Sequence, residues 1–160
     1  MDNITLFNMK RKGNEKIIID DITDLFKNGV RLMLLDKIDT IEVVNFSNMF
    51  RGCSSLTSIP KLNTSNGTNF SNMFKGCSSL TDITFTGKIK YSISFSESPL
   101  STESAGNILI ALENYSGTSN EFKYSISFSR GVWDRLVGEG TASPEGTTWK
   151  QYVQSKGWNI

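Results

Sequence analysis

Residues 46–59 read FSNMFRGCSSLTSI and residues 70–83 read FSNMFKGCSSLTDI, so twelve of fourteen positions agree at an offset of 24. A doubling this close constrains the fold before any single residue does, because equal sequences adopt equal local structures and are most economically stacked on each other. A third, degenerate copy lies 24 residues earlier, where ITDLFKNGVRLMLL at 22–35 keeps the apolar columns Ile22/Phe46/Phe70, Phe26/Phe50/Phe74, Leu32/Leu56/Leu80 and Leu35/Ile59/Ile83. Within each unit, FSNMFxGCSSL offers a short helical or turn segment and the following LTxI runs extended. Phe46 and Phe50 lie four apart with Met49 beside them, which predicts a short helix with one apolar face.

A second echo follows. KYSISFS occurs at 90–96 and again at 123–129, an offset of 33, and its alternation of Tyr, Ile and Phe with Ser predicts two half-buried strands. After the first, Ser101 or Thr102 is placed to cap a helix in which Ile108, Leu109 and Leu112 share a face, with Gly117 as its stop. After the second, RGVWDRLVGEG predicts another short helix. Residues 1–20, with candidate strands around Leu6 and 16–19, read as an N-terminal cap. Residues 21–89 read as three 24-residue repeats, and 90–160 as strand-helix units ending in a C-terminal cap that holds Trp149, Tyr152, Val153 and Trp158. The expected fold is therefore one continuous α+β repeat domain, a leucine-rich-repeat-like right-handed solenoid of short strands and short helices with an α+β C-terminal cap.

Composition narrows the chemistry. The 160 residues contain no His, which removes Ser-His-Asp triads, Cys-His dyads and His-ligated metals. Seventeen Lys/Arg against sixteen Asp/Glu leave +1, without the basic surplus that nucleic-acid binding requires. No nucleic acid is expected as partner, and no membrane insertion, since no apolar run, LMLL at 32–35 included, approaches the roughly 20 residues that span a bilayer and no signal-peptide core follows the N-terminus. Cys53 and Cys77 make neither a disulfide framework nor a zinc site. They fall in equivalent places of adjacent units, where a disulfide is geometrically conceivable, but buried thiols filling the core is the favoured reading. Asp20, Asp21, Asp24, Asp36 and Asp39 read as solvated charge, with Asp21 as a helix cap matching Asn45 and Asn69. Trp133, Trp149 and Trp158 read as core of the terminal cap, with stacking on sugars as the functional alternative. No enzyme, cofactor or metal is expected.

The segments NFSNMFRGCSSLTSIP and NFSNMFKGCSSLTDI resemble the BspA-like leucine-rich repeats, whose unit carries N-M-F-x-G-C-x-x-L-x-x-I. From SPLSTESAGNILIAL onward the chain resembles the terminal module that closes such proteins in gut bacteria and their phages. The resemblance covers residues 21–160. It implies a non-catalytic binding or adhesion module for a macromolecule or glycan at a bacterial cell surface, extracellular or carried on a virion. A structural virion domain making protein–protein contacts is the alternative it leaves open.

Repeat proteins bind through positions that vary while the apolar columns hold. Here the varying columns are Leu34/Ser58/Asp82 and Asp36/Pro60/Thr84. One of them is expected to face outward from the strands, with the choice depending on register. The candidate contacts for a protein or glycan ligand are accordingly Asp36, Ser58, Pro60, Asp82 and Thr84.

Overall fold

The computed structural model describes residues 10–12, 16–18, 38–138 and 142–160. Short strands β1 (Lys10–Lys12), β2 (Lys16–Ile18) and β3 (Ile38–Asp39) form one sheet, antiparallel between β1 and β2 and parallel between β2 and β3. Strands β4 (Ser58–Asn63) and β5 (Asp82–Thr86) form a second, parallel sheet. Strands β6 (Ile93–Phe95) and β7 (Ile126–Phe128) form a third, also parallel. Helices α1 (Thr102–Ala111), α2 (Arg130–Gly138) and α3 (Trp149–Ser155) complete the described residues. The candidate strand near Leu6, the first repeat copy and the proposed Asp21 cap lie outside them.

The solenoid expected from the repeat is not the architecture of the protein. The described residues form a small α+β domain of three short helices and three small separate sheets, with no continuous sheet running through the repeats. Three local causes interrupt it. Thr40, just past β3, uses its hydroxyl where a strand would use backbone: Oγ1 accepts the Asn63 N–H at 2.8 Å and donates to the Asn63 carbonyl at 3.0 Å. A bulge in β4 shifts the pairing between Ile59↔Ile83 and Leu62↔Phe85, so the offset falls from 24 to 23. On the far edge of β5, α1 takes the place of a third strand. The Ile83 N–H donates to Ser104 Oγ at 3.2 Å and the Thr81 carbonyl accepts the Ser101 N–H at 2.8 Å, closing an edge that would otherwise template further pairing.

The doubled FSNMF segments are not helices either; the turn alternative is what forms. Their amides alternate in destination. Phe46, Asn48, Phe50 and Gly52 donate to the carbonyls of Asn69, Ser71, Met73 and Lys75 in the next unit, at 2.8–3.0 Å, while Met49, Arg51 and Cys53 close turns onto residues three earlier in their own unit. A helix would spend every amide within the unit, whereas this arrangement welds one copy to the other. Asn45 and Asn69, expected as helix caps, instead accept the N–H of Ser47 and Ser71 in two-residue Asx turns. The glycine of F-x-G-C answers to the same stacking. Gly76 has φ of 80°, and a Cβ there would lie 3.2 Å from the Gly52 Cα below it.

Aromatic rings bind the units together. Phe46 stacks on Phe70 at 5.3 Å, and a longer column runs Phe50 to Phe74 (5.7 Å), Phe95 (4.7 Å) and Phe128 (5.6 Å), closed edge-on by Trp133 (5.3 Å). The four phenylalanines of that column are all buried. The identical KYSISFS strands pair residue for residue, Ile93 on Ile126 and Phe95 on Phe128, and turn these four side chains inward.

Helix α1 begins as the sequence implies. Ser101 is the N-cap, its hydroxyl accepting the Ser104 N–H, and Ile108, Leu109 and Leu112 are buried. It stops earlier than Gly117: the chain leaves the helix at Leu112 to bridge back to Ile89. The last carbonyls are covered by Lys156, whose Nζ donates to Ile110 O at 3.1 Å and Leu112 O at 3.0 Å. Helix α3 opens with a reciprocal capping box between Thr148 and Gln151. Its residues Trp149, Tyr152 and Val153, with Trp158 beyond it, are buried in the terminal core, whereas Trp133 is only half-buried. Gly157 has φ of 75° and leaves room for 3.0 Å approach of the Tyr115 carbonyl carbon to where a Cβ would be.

Phe74, sandwiched between Phe50 and Phe95, is the ring whose loss severs the column. Phe74→Ala should cost about 3–5 kcal/mol in a urea unfolding titration. Gly157→Ala, which adds left-handed strain and a clash, should cost about 1–3 kcal/mol in the same assay.

Candidate functional site

The outward face of β4 and β5 carries the varying columns. Ser58 pairs with Asp82 across the sheet and both side chains are exposed, while the next residues, Ile59 and Ile83, are buried. Thr84, two residues on, is exposed as well. Positions 82 and 84 share a parity, so both columns face outward on β5 rather than one of them. Pro60 stands in β4 at the bulge, and Leu34 and Asp36 lie outside the described residues. The structure therefore brings Ser58, Asp82 and Thr84 onto one face.

Asp82 also has work inside the fold. Its Oδ1 accepts a hydrogen bond from the Ser101 hydroxyl at 3.2 Å and its Oδ2 one from Thr81 Oγ1 at 2.7 Å. Ser101 is the α1 N-cap, so this carboxylate tethers the helix start to the sheet edge. Thr84 faces an open groove of about 440 Å³ between β5 and α1, shared with Lys88, Asn107 and Ile110. The last three were not legible as site residues. Only an isoleucine on the polar side of α1, 40% exposed, hinted at them, and the placement of α1 on the β5 edge had no sequence signal.

Neither cysteine reaches this face. Cys53 and Cys77 are buried thiols that are not joined in a disulfide, as the packing reading has it. The Cys77 thiol donates to the Phe50 carbonyl at 3.1 Å and is pushed up to about 12 by burial first and by the neighbouring Cys53 second. It holds its proton at neutral pH, the reverse of an activated cysteine. The other shifted groups belong to the terminal core. Burial raises Tyr115 and Tyr152 and lowers Lys156. Among the described residues no group of three or more Cys, Asp and Glu is arranged to hold a metal ion, and no helix is long and apolar enough to cross a membrane.

The repeats and the strands that follow them, residues 7–91, match a family profile, DUF285, described as Mycoplasma protein of unknown function. The chain belongs to this family. The match takes in the doubled FSNMF segments, β4 and β5, and so all of the candidate contact residues, and it ends before β6. No curated protein and no solved structure matches the chain.

The cysteine environment gives a direct check. In the native protein at about pH 8 a thiol-disulfide reagent should leave Cys77 unmodified, and in guanidinium it should react fully. The folded thiol titrates at about 12 and the unfolded one at 9.0, so the unfolded state binds fewer protons between those values. Stability should be intact below pH 9 and decline as pH rises towards 12. Tyr115 and Tyr152 act in the same direction and Lys156 against it, so the cysteine share is the part of the decline that Cys77→Ala removes in paired urea titrations.

Proposed function

We propose that the protein is a non-catalytic binding module that recognises a macromolecule or glycan at a bacterial cell surface, extracellular or displayed on a virion. The observation that carries this reading is the outward face of β4 and β5. Ser58, Asp82 and Thr84 differ between copies of an otherwise repeated sequence and stand exposed on a backbone held by paired strands, with buried isoleucines beneath. Where neighbouring units share nearly every residue, exposed positions free to differ on a rigid support are suited to contact a partner. The resemblance of the same segments to BspA-like surface repeat proteins supports the surface setting.

Contacts in this reading come from Ser58 and Thr84, with Pro60 and Asp36 in the same columns and the Lys88, Asn107 and Ile110 groove as a flank. Asp82 contributes its exposed carboxylate while its hydrogen bonds hold α1. Hydroxyls and one carboxylate on a flat support suit hydrogen bonding to a polar ligand, and nothing in the arrangement requires a cofactor or a metal.

The test is binding of the fluorescently labelled 160-residue chain to intact bacterial cells, followed by flow cytometry. Ser58→Ala with Thr84→Ala should weaken cell binding about 5- to 10-fold with an unchanged unfolding midpoint. Asp82→Ala should lower both binding and stability, because it also frees Ser101. Unaltered binding by the Ser58/Thr84 double variant removes these residues from the contact surface. Failure of the wild-type chain to bind any bacterial surface removes the function.

A further inference from the structure

The terminal part of the chain holds a second exposed feature that the β4–β5 face does not use. Phe122 has φ of 56°, a left-handed backbone in which a bulky residue is an outlier, and its side chain is 49% exposed. Strain of this kind persists only where the surroundings impose it. Here the last residues of the chain do so. The Phe122 N–H donates to the Gly157 carbonyl at 2.6 Å, and the Phe122 carbonyl accepts from Asn159 Nδ2. Asn159 is itself locked, its N–H donating to Tyr124 O and its carbonyl accepting from Ile126 N–H. The backbone is thus pinned on both sides into holding an apolar ring out towards solvent, with no packing gain from the exposed half.

That ring is one wall of an open cleft of about 470 Å³. The others are Trp133, Lys150, Gln154, Asn159 and Ile160, with Trp158 beneath. Trp158 is fully buried and its Nε1 donates to the Glu113 carbonyl at 2.7 Å, so it is a fixed floor rather than a contact. Trp133 is half-buried, rests edge-on against Phe128, and has the Lys150 ammonium 5.9 Å from its ring centre. Gln154 and Lys150 are exposed at the rim.

We infer that this cleft binds a neutral pyranose sugar of a glycan. Aromatic faces match the C–H faces of a pyranose ring, and two carboxamides and an ammonium match its hydroxyls, while the lining side chains include no carboxylate. The single ammonium stands exposed at the rim, where water screens it, so most polar groups of the cleft are uncharged carboxamides suited to hydroxyls. The volume falls within the range of small-ligand sites, about 300–1,000 Å³. The site shares no residue with the β4–β5 face and stands whether or not that face binds.

The test is a printed array of neutral glycans, acidic glycans and peptides probed with the full chain, with hits followed by saturation-transfer NMR and tryptophan fluorescence. Phe122→Gly keeps the left-handed backbone and deletes only the ring, so its fold should be intact by circular dichroism. For a neutral glycan bound by wild type, Phe122→Gly and Gln154→Ala should each weaken binding at least about tenfold, and Ser58→Ala/Thr84→Ala should leave it unchanged. No neutral glycan retained at about 10 mM, retention of acidic glycans or peptides alone, or undiminished binding by a correctly folded Phe122→Gly would each overturn the assignment.

Discussion

The structure depends on one column of rings. Phe50, Phe74, Phe95 and Phe128 stack at 4.7–5.7 Å, close to the roughly 4.8 Å at which neighbouring strands pair. Two of these rings come from turn segments and two from strands, so the backbone around the column changes type while the column does not. Rings of equal size at strand spacing hold successive units in register, and removing their faces from water supplies a large apolar contribution along one line. The same logic places Phe46 on Phe70 and the two KYSISFS strands side by side.

At several places where one unit hands over to a different kind of unit, a side chain carries a hydrogen bond that backbone would have carried. The Thr40 hydroxyl takes both groups of Asn63. Glu97 Oε2 accepts the Gly76 N–H at 2.8 Å, the place a carbonyl of a further copy would fill, and Ser104 Oγ accepts the Ile83 N–H. Lys156 does the same for the end of α1. Buried or half-buried backbone groups must find partners, and these side chains supply them for the Asn63, Gly76 and Ile83 amides where turn, strand and helix adjoin. They also explain why three small sheets form in place of one long one.

A scaffold satisfied in this way leaves its chemistry at the surface. Its two thiols are buried, with Cys77 holding its proton, its carboxylate on the strand face is tied to a helix cap, and histidine is absent. What stands exposed on a held backbone is the hydroxyls on β4 and β5 and the left-handed Phe122. Rigidity matters for contact because a preorganised surface loses less entropy on binding.

Much of this was legible without coordinates. The 24- and 33-residue offsets located the pairing of β4 with β5 and of β6 with β7, because identical sequences place identical apolar side chains at identical heights. The Ser101 cap, the buried face of α1, the buried thiols and the terminal tryptophan core followed from local spacing and apolarity. The backbone type of FSNMF, the end of α1 at Leu112 and the interruption of the sheet did not follow. A phenylalanine four residues from another reads as helix when amides are assumed to bond within their own unit, and only the neighbouring copy decides that alternate amides leave it. Likewise no pattern in the chain announces that α1 lies along the edge of β5, or that Gly157 and Asn159 pin Phe122 from some 35 residues away. Local sequence determined which side chains are buried, since burial follows apolarity and periodicity. Tertiary structure decided where the backbone hydrogen bonds go, since that depends on which neighbour lies against each open edge.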